Sequence, residues 1–270
     1  MRILHVLDHS IPLHSGYTFR TAALLREQRE LGWETHHVTS PKQGFLEFAS
    51  EDVDGLSFYR TPPARGAMAH APLAREWLLM RQLTVRLEEV ARKVRPDVIH
   101  AHSPVLNALP ALKVGRKLGI PVVYEIRAFW EDAAVDHGST REGSLRYRLT
   151  RALESRAIRG AAHVFTICEG LRADIVARGV PAGKITVIPN AVDVDAFQLA
   201  RPAEPALQQQ WGLAGRTVIG FIGSFYAYEG LDLLVDTMPN LLKVQPDICL
   251  LLVGGGPQEA NLKAQVELLK

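Results

Sequence analysis

The chain has 270 residues, of which 47% are apolar and 22% charged, and its formal net charge is +2. That is an ordinary globular composition, long enough to bury a core in one large or two smaller domains. The charge is too small to imply a nucleic-acid partner, and no run approaches the ~18 apolar residues that a membrane span needs. The two cysteines, Cys168 and Cys249, lie far apart without a CxxC pair, which suits a reducing compartment. The opening MRILHVLDHSIP has too short an apolar run for a secretory leader, so the expected location is cytoplasmic.

In chain order, short Val- and Ile-rich runs alternate with stretches of helical period. The runs are Ile3 to Leu7, Thr35 to Thr39, Leu56 to Tyr59, Val98 to His102, Val122 to Ile126, Val164 to Ile167 and Ile185 to Ile188. Near-continuous apolar strands imply burial on both faces, hence a parallel sheet covered by helices. Leu24, Leu25 and Leu31 mark one helix, ended by Gly32; Met80, Leu83, Leu87, Val90 and Val94 mark another, stopped by Pro96. The fold class is α/β, doubly wound. RPAEP and LAG then interrupt the pattern, so residues 1–195 are read as a first domain, 196–214 as a linker and 215–270 as the start of a second domain. In the second, strands Thr217 to Ile222 and Ile248 to Val253 each precede a helix. Two strands fall short of the usual ~4–6, so the second domain is expected to be incomplete, and its uncovered apolar surface to invite self-association.

In open parallel sheets, ligands bind beyond the carboxyl ends of the strands. After the first strand comes DHSIPLHSGYTFR, where Ser15 and Gly16 precede a helix whose free N–H groups suit phosphate or sugar oxygens. The dinucleotide pattern G-x-G-x-x-G is absent there, and a simple capping turn explains the same residues equally well. VIHAHSP places His100 and His102 on one face. His102, before Pro104, is expected at the loop mouth, where it can bond a sugar hydroxyl or take its proton; His100 is expected in the core, satisfied by backbone. No third metal ligand is evident near the pair, so no metal is expected. Arg127, Glu131 and Asp132 crowd the next loop, where Arg127 could grip a phosphate or carboxylate, or the three could form a surface ion-pair cluster. Arg146, Arg148, Arg151, Arg156 and Arg159 flank a stripe of Leu145, Leu149 and Leu153. Such a helix can lie on an anionic membrane, but a core-packing helix with a solvated face is the favoured reading.

Taken together with HAHSP, the stretches TICEGLRADIVARGVPAGKITVIPNAVDVDAF, IGSFYAYEGLDLL and LLVGGGP resemble the retaining GT-B glycosyltransferases of the group 1 or family 4 type, over nearly the whole chain. FWEDAAVDHGSTREGSLRYR is similar to the subset associated with bacterial exopolysaccharide loci and exosortase-type sorting clusters. The resemblance implies two Rossmann-like domains and transfer of a sugar from a nucleotide sugar to a hydroxyl, on a saccharide or lipid-linked acceptor, with retention and without a cofactor or metal. By resemblance His102 is the catalytic residue. Ser15, Gly16, Arg20, Arg127 and Glu131 belong to the acceptor side, although Arg127 stands where many relatives carry histidine. Gly223, Ser224, Glu229, Gly254 and Gly256 belong to the donor side. Asn190, Ala191 and Asp193 match the motif before the linker, with Ala191 where glycine is commoner. Ser224 and Glu229 replace the Arg and Lys that clamp the donor phosphates in many relatives, and a carboxylate facing a diphosphate is unfavourable. Donor carboxylates are expected beyond residue 270, so this chain alone is expected to fold without catalysing transfer. Two other functions stay open: a nucleotide-sugar epimerase of the same architecture, and a non-catalytic module that binds a carbohydrate or lipid acceptor.

Overall fold

The computed structural model describes residues 1–44, 48–63, 72–196 and 204–269. They form two compact units, Met1–Asp132 with Glu142–Ala191, and Ala133–Arg141 with Val192–Lys270. The sequence reading put the change of domain after residue 195; the contacts divide at Val192, and the short segment 133–141 goes with the second unit.

In the first unit the strands are β1 (Arg2–Leu7), β2 (Glu34–Thr39), β3 (Ser50–Val53), β4 (Leu56–Tyr59), β5 (Val98–His102), β6 (Val122–Ile126), β7 (His163–Thr166) and β8 (Ile185–Val187). They make one sheet in the order β3-β4-β2-β1-β5-β6-β7-β8. Every pair is parallel except β3 with β4. The all-parallel expectation therefore fails at this edge. Ser50 to Val53 has no apolar run, but Asp54 and Gly55 take positive φ (50° and 74°), the left-handed pair that closes a tight hairpin.

Helices α1 (Gly16–Glu30), α2 (Pro72–Val94), α3 (Val105–Leu118), α5 (Leu145–Gly160) and α6 (Glu169–Ala177) belong to this unit; α4 (Trp130–Asp136) runs across the boundary between the two. On α2 the stripe Leu83, Leu87, Val90 and Val94 is buried against Leu4, Val6, Ile99 and Ala101, as its period predicts. On α1 Leu25 is buried, whereas Leu31 lies outside the core. Strand order reverses between β1 and β5, because β1 pairs with β2 on one side and β5 on the other. The carboxyl ends of those two strands are thus the switch point at which open α/β sheets bind ligands.

The second unit contains α7 (Pro205–Gln210), β9 (Thr217–Ser224), α8 (Leu231–Val244), β10 (Ile248–Gly255) and α9 (Glu259–Leu269). Strands β9 and β10 pair in parallel from Thr217 with Ile248 to Ser224 with Gly255. Phe225, Leu231, Val235 and Leu262 form its small core. No helix among the described residues is long and apolar enough to cross a membrane.

Beneath β6 the Tyr124 hydroxyl donates to Glu154 Oε1 at 2.6 Å, both groups being fully buried. Burial pushes the Glu154 carboxyl up to about 7, with Glu131 adding to the rise and the Tyr124 bond opposing it. A raised acid favours the fold below its unfolded value and loses that advantage as pH rises through 7. Glu154→Gln is therefore expected to flatten the fall in stability between pH 5 and pH 8, by at most roughly 3 kcal/mol at 1.36 kcal/mol per pH unit. Urea midpoints at both pH values measure this; an unchanged slope refutes it.

Candidate functional site

The switch point holds a buried polar layer centred on Glu125, the fourth residue of β6. Glu125 Oε1 accepts from Arg20 Nε and from Arg127 Nε, each at 3.0 Å, and Oε2 lies 3.2 Å from His100 Nε2 and 3.3 Å from His102 Nδ1. Burial opposes ionisation of Glu125, but the polar groups around it, the Arg127 guanidinium among them, outweigh it and hold the carboxyl well below its usual range. The contact to His100 Nε2 falls short of hydrogen-bond geometry, so that nitrogen is buried without a partner.

His102 does not open to the loop mouth. Its ring is fully buried, and both nitrogens are engaged. Arg127 Nη2 lies 2.9 Å from Nδ1 and can only donate, so Nδ1 accepts. The proton then sits on Nε2, which donates to His5 Nδ1 at 3.0 Å, and His5 Nε2 donates to Gln28 Oε1 at 2.9 Å. One chain of hydrogen bonds thus runs from β6 through β5 and β1 to α1. Burial pushes His102 down to about 3, aided by His100 and opposed by Glu125, so the ring is neutral. His100, expected in the core, is there, but it faces the Glu125 carboxylate and stacks on His102 at 4.1 Å rather than bonding backbone.

His5 was missed in the sequence, although a histidine inside the apolar run RILHVL was the available signal. It pairs in register with His37 on one side and His100 on the other. Ligand nitrogens of His5, His100 and His102 lie within 4.8 Å of one another, which supplies the third ligand that spacing alone did not reveal. The chemistry around them is poor for a cation, because Arg20 and Arg127 share one carboxylate there and a divalent ion would meet net positive charge.

The remaining acceptor-side residues divide. Ser15 caps α1 as expected, its Oγ accepting from Thr18 N at 3.1 Å. Gly16 opens the helix, and a Cβ built on it would meet nothing within 4 Å, so packing does not demand glycine there. Arg20 points inward: beyond Glu125, it donates to Ile188 O, Pro189 O and Asn190 Oδ1, all at 3.0 Å, and so ties down the stretch after β8. Arg127 does not present a free fork. Four of its five N–H donors go to Glu125, Tyr17 O, Thr21 Oγ1 and His102, and the guanidinium lies 4.4 Å over the Tyr17 ring. Glu131 is not at the surface either: it is buried in an ion pair with Arg178 at 2.8 Å, beneath a guanidinium that covers Phe129. Asp132 accepts from the Tyr147 hydroxyl at 2.8 Å.

In the second unit, Gly223 and Ser224 end β9, and Glu229 lies in the following turn, exposed. Gly254 and Gly256 take φ of 148° and 151°, and a Cβ on them would approach Gly223 O to 1.9 Å and Phe225 N to 2.9 Å. Their glycines are required by the packing of the β9 and β10 ends, whatever else they do. The surface hollows found elsewhere, one bordered by Arg2, Glu34 and Asp97 and one by Leu112, Gly115 and Gly160, lie away from the switch point.

A family profile described as "Glycosyl transferase 4-like domain" matches residues 15–191, more than half of the chain. The chain belongs to that family. It is 31% identical over 183 residues to the 2-deoxystreptamine glucosyltransferase of Streptomyces kanamyceticus, covering 66% of this chain and 47% of the relative. It is 25% identical over 264 residues to a GDP-mannose-dependent alpha-mannosyltransferase of Mycolicibacterium smegmatis, covering 97% and 65%. The chain thus spans about half to two thirds of the length of these relatives. Among solved structures, Anabaena HepE in complex with UDP-glucose superposes with a TM-score of 0.68 at 18% identity, covering 100% of this chain and 66% of that one. Sucrose-phosphate synthase from Thermosynechococcus elongatus gives a TM-score of 0.70 at 16% identity, covering 99% and 66%. At these identities the superpositions show the fold, which is of the GT-B type with Rossmann-like units.

Glu125→Gln removes the charge that Arg20 and Arg127 share. The variant is expected to lose about 3 kcal/mol or more, because two largely buried guanidinium groups are left without a carboxylate. Because the Glu125 carboxyl is held low in the fold, its contribution stands above pH ~4.5 and is lost only as pH falls through the folded value. Urea denaturation at pH 7 decides the matter, and an unchanged midpoint would show that the layer is not held by this charge.

Proposed function

We propose that the protein transfers a sugar from a nucleotide sugar to a hydroxyl acceptor, with retention of configuration, in bacterial polysaccharide assembly. The observation that carries this reading is the family match over residues 15–191, which contains Arg20, Glu125, Arg127, His100, His102 and the stretch 188–190. Relatives that align along almost all of this chain are themselves glycosyltransferases, which supports a nucleotide-sugar donor. Structures of UDP-GlcNAc 2-epimerases share the fold, with TM-scores of 0.57 and 0.62 at 15% and 13% identity. Fold likeness alone does not favour epimerisation over transfer.

In this reading α1 presents its N-terminal N–H groups beside Gly16 to the reacting sugars, and the Glu125 layer keeps α1, β5 and the stretch 188–190 in register. His102 acts from within that layer, as the link between Arg127 and His5, and does not touch the acceptor. The acceptor is a saccharide or a lipid-linked saccharide. Leu145 and Leu149, 84% and 49% exposed at the start of α5 beside Arg146 and Arg148, support peripheral contact with an anionic membrane. Incubating the complete gene product with a panel of nucleotide sugars, with and without acceptor, tests the reading: transfer needs acceptor, and epimerisation does not.

We also propose that no metal takes part, so a chelator should leave the rate nearly unchanged. A strict requirement for Mg²⁺ or Mn²⁺ would defeat that proposal. Gly16→Ala should fold with undiminished stability, since its Cβ meets open space, yet lose transfer about 10-fold or more by pushing ligand away from the helix N-terminus. Melting temperature and turnover measured together check this; full turnover in a stable variant would show that no ligand approaches Gly16.

A further inference from the structure

The carboxyl end of β1 carries an arrangement to which nothing above gives a role. His9 Nδ1 lies 3.3 Å from Asp8 Oδ2, and His9 Nε2 lies 2.9 Å from Ser15 Oγ. The imidazole stacks on the Tyr17 ring with centroids 4.8 Å apart. Tyr17 is fixed in turn: its hydroxyl accepts from Asp8 N at 2.9 Å, and Arg127 lies over its ring. Lys42 Nζ meets the other Asp8 oxygen at 3.0 Å. Among the described residues, Asp8, Lys42 and Arg127 are therefore the charged groups around this histidine, and Tyr17 and Ser15 are its direct neighbours.

This geometry assigns the proton. Asp8 accepts from Nδ1–H, which leaves a lone pair on Nε2. Ser15 Oγ accepts from Thr18 N and lies 3.1 Å from Thr18 Oγ1; with the Thr18 hydroxyl donating there, the Ser15 hydrogen points at that lone pair. A carboxylate that orients an imidazole, whose far nitrogen faces a hydroxyl, is the general arrangement of an activated hydroxyl. His9 differs from His102 in access. Its side chain is 25% exposed, that of His102 is 0% exposed, and the space next to Gly16 is open.

We propose that His9 Nε2 takes the proton of the acceptor hydroxyl, which occupies the place that Ser15 Oγ fills in the free protein. This rests on the transferase reading above. In the step, the acceptor oxygen bonds to the anomeric carbon on the same face from which the diphosphate oxygen departs, so that configuration is retained as the bond to that oxygen breaks. The electron pair leaves with the nucleoside diphosphate, the hydroxyl proton moves to Nε2, and it passes from there to water. Asp8 holds the ring and faces the positive charge that develops on it. Asp8 and His9 follow directly after β1 in the sequence, seven and six residues before Ser15, so the loop brings all three together at the N-cap of α1.

The test is steady-state kinetics on the complete gene product beside its His9→Gln and His9→Ala variants. Glutamine can keep a hydrogen bond near the position of Nε2 but cannot take a proton. The expected result is a fall in kcat of about 10²-fold or more in both variants, with the donor KM unchanged. Added imidazole should restore part of the rate to His9→Ala, which a purely structural role would not predict. Undiminished kcat in His9→Gln, or a loss confined to the acceptor KM, overturns the proposal and leaves the transferase reading standing. Absence of transfer by the unsubstituted protein with every nucleotide sugar overturns that reading and this proposal with it.

Discussion

The switch point depends on one buried negative charge. Glu125 is almost fully enclosed, and an isolated carboxylate there would be too costly to keep ionised. It stays ionised because two guanidinium groups donate to the same oxygen. The dependence runs both ways. Arg20 and Arg127 are the groups that carry the constraint outward, Arg20 to the carbonyls of residues 188 and 189 and the Asn190 side chain, Arg127 to the first turns of α1. Four segments far apart in sequence, the ends of β5 and β6, the start of α1 and the stretch after β8, are thereby held to one carboxylate. Such a layer is rigid when every member is satisfied and expensive when one is missing.

The strands and the core were readable because burial on both faces writes itself as a continuous apolar run. The four-residue β3 was not, since an edge strand in contact with solvent needs no such run and Ser50, Glu51 and Asp52 provide none; only Asp54-Gly55 announced it. Side-chain direction was harder still. Period-two spacing correctly put His100 and His102 on one face, but it cannot tell which end of the strand the rings lean toward or what lies above them. Tyr17, from the first turn of α1, and Arg127, from the loop after β6, cover His102, and neither is near it in sequence. Glu131 and Arg178 show the same limit: two charged residues 47 positions apart bury each other, although each alone reads as a surface group. The glycines at the end of β10 looked like a ligand loop, yet the close approach of Gly254 to Gly223 and of Gly256 to Phe225 already accounts for both.

These limits share a cause. Local pattern reports how much apolar surface a segment buries, and the switch point is the place where buried surface is polar. Its stability comes from pairs that form only when the sheet order β2-β1-β5-β6 is complete. Four strands read one at a time contain no sign that His37, His5 and His100 will stand in one row, though the register makes it inevitable once β1 lies between β2 and β5.

Full burial explains why His102 is a poor base. To take a proton, His102 would have to become an imidazolium beside Arg127, with no water to share the charge, and burial already holds it near 3. A neutral ring with both nitrogens engaged is instead well suited to transmitting position: if Arg127 turns, the proton on His102 loses its reason to sit on Nε2, and the bonds to His5 and Gln28 loosen in sequence. Proton transfer at neutral pH needs the opposite environment, a ring with one nitrogen held by a carboxylate and the other open to a ligand. The same sheet edge provides both, one layer apart. Burial makes the inner histidine a strut, and partial exposure leaves the outer one free to react.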